Sequence, residues 1–375
     1  MRTIDIGLPY AELELRRARI EARSQFRYLD RVPVVPGIFP RYWLHHLGYT
    51  WSEYTSTPHR HLEIQLEAHR WVLEHVPGDT TGIAVDAEPH WFYGEAYGLG
   101  CELAAGSLDP WIGTHPVQSD ADLRRLERID PADNRNTALV ARWIEETDRL
   151  LRDYRLRYSD GVVQRLPEQL RPRGGSIGIF TLATDLRGPE IYLDLYERPD
   201  FAREFLAIVT DKVIGRYRWL HSLGVGLGGG TGLVDDASSN LSPWLYRDFV
   251  VPCVLRVVQA VGRPLRIHVD GPADHLLPLY QELALDELSA FGPRTSAQRV
   301  RETLGGRALL SGNLDPMLFV YGTPDEVYRA AWKVLEILAP CGGFILQDGN
   351  NLPPESTCEN IAAMVRAAEE FGLPD

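Results

Sequence analysis

What narrows the fold is an alternation in the second half of the chain. Short apolar runs of strand length occur at 265–269 (LRIHV), 286–291, 308–312 (ALLSG) and 342–346 (GGFIL). Before, between and after them lie amphipathic helical stretches at 243–261, 273–284, 296–304, 324–338 and 357–371. A helix joining two strands carries the chain back to its starting end, so such strands run parallel. The first half is less regular. GIAVD at 82–86 and Gly174–Thr181 read as strands, and Pro33–Pro40 as a first strand entering a loop. Residues 59–76 and 198–222 read as helices, and 120–158 as two helices. The stretch AELELRRARIEAR makes residues 1–30 a helical extension. Many β/α units with no Ser/Gly-rich break favour a closed barrel over an open sheet. The expectation is therefore α/β, a (β/α)8 TIM barrel with N-terminal helical additions, in one domain spanning 1–375.

Composition excludes several functions. The net charge of −13 disfavours attraction to nucleic acid or anionic lipid and weighs against a highly anionic substrate. The four cysteines form no CxxC pair, which suits reduced thiols in a cytosolic protein. The N-terminus lacks an apolar signal region, and no apolar run approaches membrane-spanning length. The expected setting is cytoplasmic, with a small-molecule substrate, no nucleic acid and no membrane.

A barrel of this type places its chemistry at the C-terminal ends of the strands. Polar residues just after the apolar runs are then the candidates. They include Asp86, Glu88 and His90, then Thr181 and Asp185, then Asp235, Asp236 and Ser238. His268 and Asp270 follow, then Asn313 and Asp315, and finally Asp348, Asn350 and Asn351. In an extended strand residues two apart share a face, so His268 and Asp270 can converge on one proton or one metal ion. The plainer alternative is a histidine hydrogen-bonded to a nearby carboxylate. Asp235 and Asp236 can orient a substrate, hold a cation or cap a helix. Ser242 ahead of Pro243 is a helix cap. Trp91, Phe92 and Tyr93 can wall a pocket beside His90. His45, His46, His59 and His61 match no metal-ligand spacing. Gly224–Gly229 fits G-x-G-x-x-G but is followed by TGLVDD and not by a helix, so it is not a dinucleotide loop.

Several segments in order resemble one family. They are Ile179-Phe-Thr-Leu-Ala-Thr-Asp185-Leu-Arg187, Asp235-Asp-Ala-Ser-Ser-Asn240-Leu-Ser-Pro243, His268-Val-Asp-Gly271, Ser311-Gly-Asn-Leu-Asp315-Pro and Gly342–Pro354. Together they resemble the uroporphyrinogen decarboxylase / corrinoid methyltransferase superfamily across about residues 80–372. The resemblance implies a uroporphyrinogen decarboxylase-like TIM barrel and an enzyme. The thiol-directed methyltransferase branch is the nearest in text. That branch holds zinc through His-x-Cys and a later Cys; the matching positions here are His268, Asp270 and Asn350, so a divalent metal on these residues is the implied cofactor. A corrinoid would arrive on a separate carrier protein, because no DxHxxG motif is present. Of the Arg-rich N-terminal motif of porphyrinogen decarboxylases, only Arg23–Tyr28 gives an echo. The implied roles are catalytic for His268, Asp270, Asp235 and Asp236. They are substrate-binding for Glu88, His90, Thr181, Asp185, Arg187, Asn313 and Asp348. Methyl transfer is the leading expectation. Decarboxylation of a small carboxylate or porphyrinogen-type substrate is the second, with Asp235 or Asp236 stabilising a developing cation or Arg187 holding the carboxylate, and a non-catalytic binding barrel is the third. A homodimer is compatible with each.

Overall fold

In chain order the first elements are β1 (Arg2–Ile6), α1 (Tyr10–Ala22), α2 (Pro40–Leu47), α3 (Trp51–Tyr54) and α4 (Pro58–His75). Then come α5 (Gly94–Gly98), β2 (Leu103–Ala105), β3 (Pro110–Ile112), α6 (Asp120–Arg128), α7 (Arg135–Leu151), β4 (Tyr154–Tyr158) and β5 (Val163–Arg165). Three helices follow, α8 (Ile179–Arg187), α9 (Glu190–Glu197) and α10 (Pro199–Ser222). The regular alternation begins with β6 (Thr231–Val234), α11 (Pro243–Leu245), α12 (Val251–Val261), β7 (Leu265–His268), α13 (Leu277–Glu282) and β8 (Glu287–Phe291). It ends with α14 (Ala297–Leu304), β9 (Leu309–Leu314), α15 (Leu318–Tyr321), α16 (Pro324–Leu338), β10 (Phe344–Asp348) and α17 (Cys358–Phe371). The computed structural model describes residues 2–166, 170–225 and 230–373. Most of the Gly224–Gly229 run, residues 226–229, lies outside the described residues.

Two compact units emerge. Unit 1 comprises residues 1–85, 146–170 and 288–375, and unit 2 comprises 86–145 and 171–287. In unit 1, β9 and β10 pair in parallel, with Leu310 opposite Phe344 and Leu314 opposite Asp348. Val34 adds a parallel bridge to Leu346. The helix α16 shows why this part was readable. Thr323 and Glu326 form a capping box, Pro324 occupies the first turn, and Val327, Ala331, Leu335 and Leu338 make one buried stripe. In unit 2, β6 and β7 pair in parallel from Thr231–Leu265 to Val234–His268, and Ser176 bridges Leu233. Helix α10 packs against α8, α9 and α12 of the same unit.

Three expectations are corrected. First, the N-terminal extension opens with a strand. β1 pairs in parallel with β4, Arg2 opposite Tyr154 and Ile6 opposite Tyr158. The region expected to be wholly helical at 120–158 thus ends in a strand, whose burial alternates along Tyr-Arg-Leu-Arg-Tyr. Ile6, Leu13, Leu73, Leu156 and Tyr158 form its core. The partner lies about 150 residues away, and no local pattern announces it. Second, 82–86 forms no ladder. The Ile83 carbonyl is taken instead by the His69 ring, at 3.0 Å. Third, the strand expected at 174–181 shrinks to the bridge at Ser176, because α8 starts at Ile179. None of the four cysteines is in a disulfide. Among the described residues, no helix is long and apolar enough to cross a membrane.

One buried ion cluster holds the start of unit 1. The Asp79 carboxylate is fully buried. It accepts from Arg31 at 2.7 and 2.9 Å, from Arg19 at 3.0 Å and from the Val34 backbone N–H at 2.8 Å. Removing it leaves the Arg31 guanidinium without its carboxylate in a dry site, while Arg19 keeps only Asp30. Asp79→Ala is expected to cost about 3–5 kcal/mol in urea unfolding. A loss below about 1 kcal/mol, the range of surface ion pairs, would show that the cluster does not anchor this segment.

Candidate active site

The site of unit 2 is built from the ends of β6 and β7 and the start of α8. Asp235, just past β6, is 1% exposed. Its Oδ1 accepts from the backbone N–H groups of Phe180 (3.0 Å) and Thr181 (3.1 Å), in the first turn of α8. Its Oδ2 accepts from the Ser238 hydroxyl at 2.5 Å. The first N–H groups of a helix have no partner within the helix, and its N-terminus favours an anion. Asp235 supplies that anion from a neighbouring strand end. Gly178 makes this approach possible. It has φ +89°, and a Cβ there would stand 2.6 Å from the Val234 carbonyl and 2.8 Å from Asp235 Oδ1. Burial pushes the Asp235 carboxyl upward, while hydrogen bonds from Ser238, Thr181 and Phe180 pull it down.

Asp236 points its carboxylate to different partners. Its Oδ1 accepts from the Asp270 backbone N–H at 2.9 Å and lies 3.6 Å from His268 Nε2. Burial, then the Asp270 carboxylate, pushes Asp236 up to about 8. About a third of its side-chain surface stays exposed and about a fifth of His268's, so both can meet a ligand. Along 265–270 burial alternates, placing His268 and Asp270 on one face as the spacing implied. The contact that the spacing did not reveal is Asp236, which joins them from the adjacent strand end. The loop after β7 comes close because Gly271 has no side chain; a Cβ there would stand 2.1 Å from Ser239 Oγ. The result is a carboxyl pair with an imidazole beside it. At neutral pH such a pair retains a proton that either an acid or a base step can use.

The other expected residues of unit 2 fall elsewhere. Glu88 is 1% exposed and bonded to Arg216 at 3.2 Å, to the Arg173 backbone N–H at 3.2 Å and to Asn136 at 3.4 Å. Asp86 pairs with Arg173 at 2.7 Å. Arg187 is buried against Asp194 at 2.8 Å and donates to the Val117 carbonyl, so its guanidinium is committed to the fold. His90 packs at a tilt against Tyr97, ring centres 4.3 Å apart. Burial, then Arg135, lowers it to about 4, so it is neutral at pH 7. Thr181, Asp185 and Arg187 lie on helix α8 and not in a loop after a strand. Thr181 Oγ1 accepts from the Ala237 N–H at 3.1 Å and so supports the turn that carries Asp236. Burial, then Glu95, pushes Asp185 up to about 7. Sequence reasoning missed Glu95, a buried carboxylate that bonds Ser176 Oγ at 2.8 Å. Nothing around it in sequence marks it.

Unit 1 holds the remaining candidates. The Asn313 amide donates to the Thr295 carbonyl at 2.9 Å, as a structural tie. Asp348, at the end of β10, is fully buried and accepts from the Gly37 N–H at 2.7 Å. Its Oδ2 has no hydrogen-bond partner among the described residues, and burial pushes it up to about 7. Asn350 follows in the same unit. His268 Nε2 lies 3.6 Å from Asp236 Oδ1, which also accepts from the Asp270 backbone N–H, and Asn350 lies in the chain segment of unit 1. Among the described residues, no three His, Cys, Asp or Glu side chains are arranged to hold a metal ion.

The raised Asp236 has a signed consequence for stability. Its folded value, about 8, exceeds the ordinary value of 3.8. The folded state therefore binds a proton that the unfolded state has already released. This contribution is full below the ordinary value and is lost as pH rises through 4 toward 8. Asp236→Asn, which never ionises, should gain stability relative to the parent between pH 5 and pH 8. Thermal unfolding at those two pH values measures it, and an equal difference at both would refute the shared proton.

Comparison with known proteins agrees with this architecture. The family model "Uroporphyrinogen decarboxylase (URO-D)" matches residues 17–371. A uroporphyrinogen decarboxylase of Magnetococcus marinus is 25% identical over 301 residues, 74% of this chain and 76% of the relative. A methylated-thiol–coenzyme M methyltransferase of Methanosarcina mazei is 26% identical over 242 residues, 62% of this chain and 61% of the relative. A solved methyltransferase structure from Methanosarcina mazei superposes with a TM-score of 0.69 at 22% identity, covering 96% of this chain and 98% of that one. At that identity the likeness speaks to the fold. With the parallel β/α alternation already described, these matches establish that the chain belongs to the uroporphyrinogen decarboxylase family and has its TIM-barrel fold.

Proposed function

We propose that this enzyme decarboxylates a small carboxylate and that Asp236 protonates the product carbon. The observation that carries this is the Asp236–Asp270 pair beside His268, which retains a proton near neutral pH. Loss of CO₂ leaves the electron pair of the broken C–C bond on carbon. The Asp236 carboxyl gives its proton to that carbon and becomes a carboxylate. His268 Nε2, 3.6 Å from Oδ1, then returns a proton from solvent. The Asp270 N–H holds Oδ1 in place throughout. Asp235 is a positioning residue, because its own oxygens are occupied by α8 and Ser238. The uroporphyrinogen decarboxylase relatives support this reaction class.

A second reading is methyl transfer to a small acceptor, supported by the methylated-thiol–coenzyme M methyltransferase relative. His268 would take the acceptor's proton, and the methyl group would come from a corrinoid on a separate carrier protein. No step in either reading is routed through a metal ion.

The test is a panel of small carboxylates in deuterated water, following CO₂ release and deuterium at the product carbon. Methylcobalamin demethylation with a panel of acceptors runs alongside. The first reading expects Asp236→Asn to lower turnover by about 10²-fold or more, the scale of a lost general acid. It also expects kcat/KM to fall on the alkaline side, as Asp236 ionises at about 8. Full turnover in Asp236→Asn, or product without deuterium, would reject it. Demethylation without CO₂ would select the second.

A further inference from the structure

A small, partly open cavity in unit 2, with neither Asp236 nor His268 in its lining, contains an unresolved hydrogen-bond problem. Its volume is about 10 Å³, and its lining includes Glu95, Asn136, Lys212 and Arg216. Two buried oxygens on that lining have no hydrogen-bond partner among the described residues, Glu95 Oε1 and Asn136 Oδ1. With the Glu95 carboxyl ionised, both are acceptors and neither can satisfy the other. A buried oxygen left in this state is destabilising. The fold keeps the space open. Gly94 also lines it, and a Cβ there would stand 2.4 Å from Glu88 Oε1 and 3.1 Å from Asn136 Oδ1.

We infer that one ordered water molecule occupies this cavity, donating one hydrogen bond to Glu95 Oε1 and the other to Asn136 Oδ1. The space matches the smallest cavity that admits water, on the order of 10–15 Å³, and offers the two polar partners such a water needs. A monovalent cation is disfavoured by the lining. The Arg216 guanidinium and the Lys212 ammonium border the same space and would repel it. An exchange route is available. Pro131 and Lys212 also border a groove of about 670 Å³ between α10, α12 and the 130–132 turn.

This water makes Glu95 a positioning residue for the candidate site. Glu95 Oε2 accepts from Ser176 Oγ at 2.8 Å and from the Ile177 N–H at 3.2 Å. Those residues directly precede Gly178 and the first turn of α8, which Asp235 caps. The water holds one oxygen of the carboxylate while the other fixes the backbone entering α8. The charges facing Glu95 are Arg216 from α10, with Nε at 3.9 Å, Glu88 from the loop before α5, Asp185 from α8 and Lys212. Burial raises the Glu95 carboxyl, and each donor, the water included, works against that rise.

The test is a high-resolution crystal structure of the full chain, combined with infrared titration of the Glu95 carboxyl. Glu95→Gln identifies its band. The expected result is a single solvent peak within hydrogen-bond reach of both oxygens. Asn136→Leu fills the space and removes one acceptor. It should then shift Glu95 protonation upward by about one pH unit, tenfold in proton affinity, as the charged form loses a donor. An empty cavity would overturn the inference. So would a bound cation, an Asn136 amide nitrogen turned directly onto Glu95, or an unshifted Glu95 titration in Asn136→Leu. If Asn136→Leu does not fold, the solvent density of the parent decides.

Discussion

A buried carboxylate at the start of a helix organises unit 2. Asp235 joins three elements through one residue. Its backbone N–H donates to the His268 carbonyl at 3.0 Å, its Oδ1 takes two N–H groups of α8, and its Oδ2 takes the hydroxyl of Ser238. A charge held by several donors at a helix N-terminus is among the stronger polar arrangements available in a dry interior. It is also exacting, because losing a single donor leaves charge buried without compensation. That explains the tight shape around it, including the glycine at 178.

The chemistry follows from chain geometry next to that anchor. With Asp235 turned inward, Asp236 is carried to the other side and meets Asp270 and His268. Two acids in contact cannot both be charged at low cost, so one keeps its proton to about pH 8. Buried arginines of unit 2 are paired with other carboxylates, Arg187 with Asp194, Arg173 with Asp86 and Arg216 with Glu88.

Legibility in the sequence varied with how local each signal was. Helix α16 could be read to the residue because its cap, its proline and its apolar stripe are all contained within it. The strands β7 to β10 were recognisable as apolar runs between helices, whereas β6 follows a glycine run that gave no strand signal. The strand β1 was not, since Arg2–Ile6 becomes a strand only by meeting Tyr154–Tyr158. The segment at 82–86 has strand-like residues, but a histidine from α4 takes one of its carbonyls. Among site residues, His268 and Asp270 followed from a period of two. Glu88 and Arg187 have side chains of the same types as the other candidates, and only the structure shows them buried against Arg216 and Asp194.

By itself, the sequence determined the β/α alternation, the sharing of one face by His268 and Asp270, and membership in a family of related enzymes. These depend on spacing within a few residues or on motifs in order. Tertiary structure alone decided which carboxylate shares its proton, because Asp236 and Asp270 meet only after β6 and β7 align in register. It likewise decided that Asp235 is an anchor and Glu95 a buried support. A carboxylate becomes an acid, a cap or a strut according to the donors and charges within a few ångströms, and distant parts of the chain supply those.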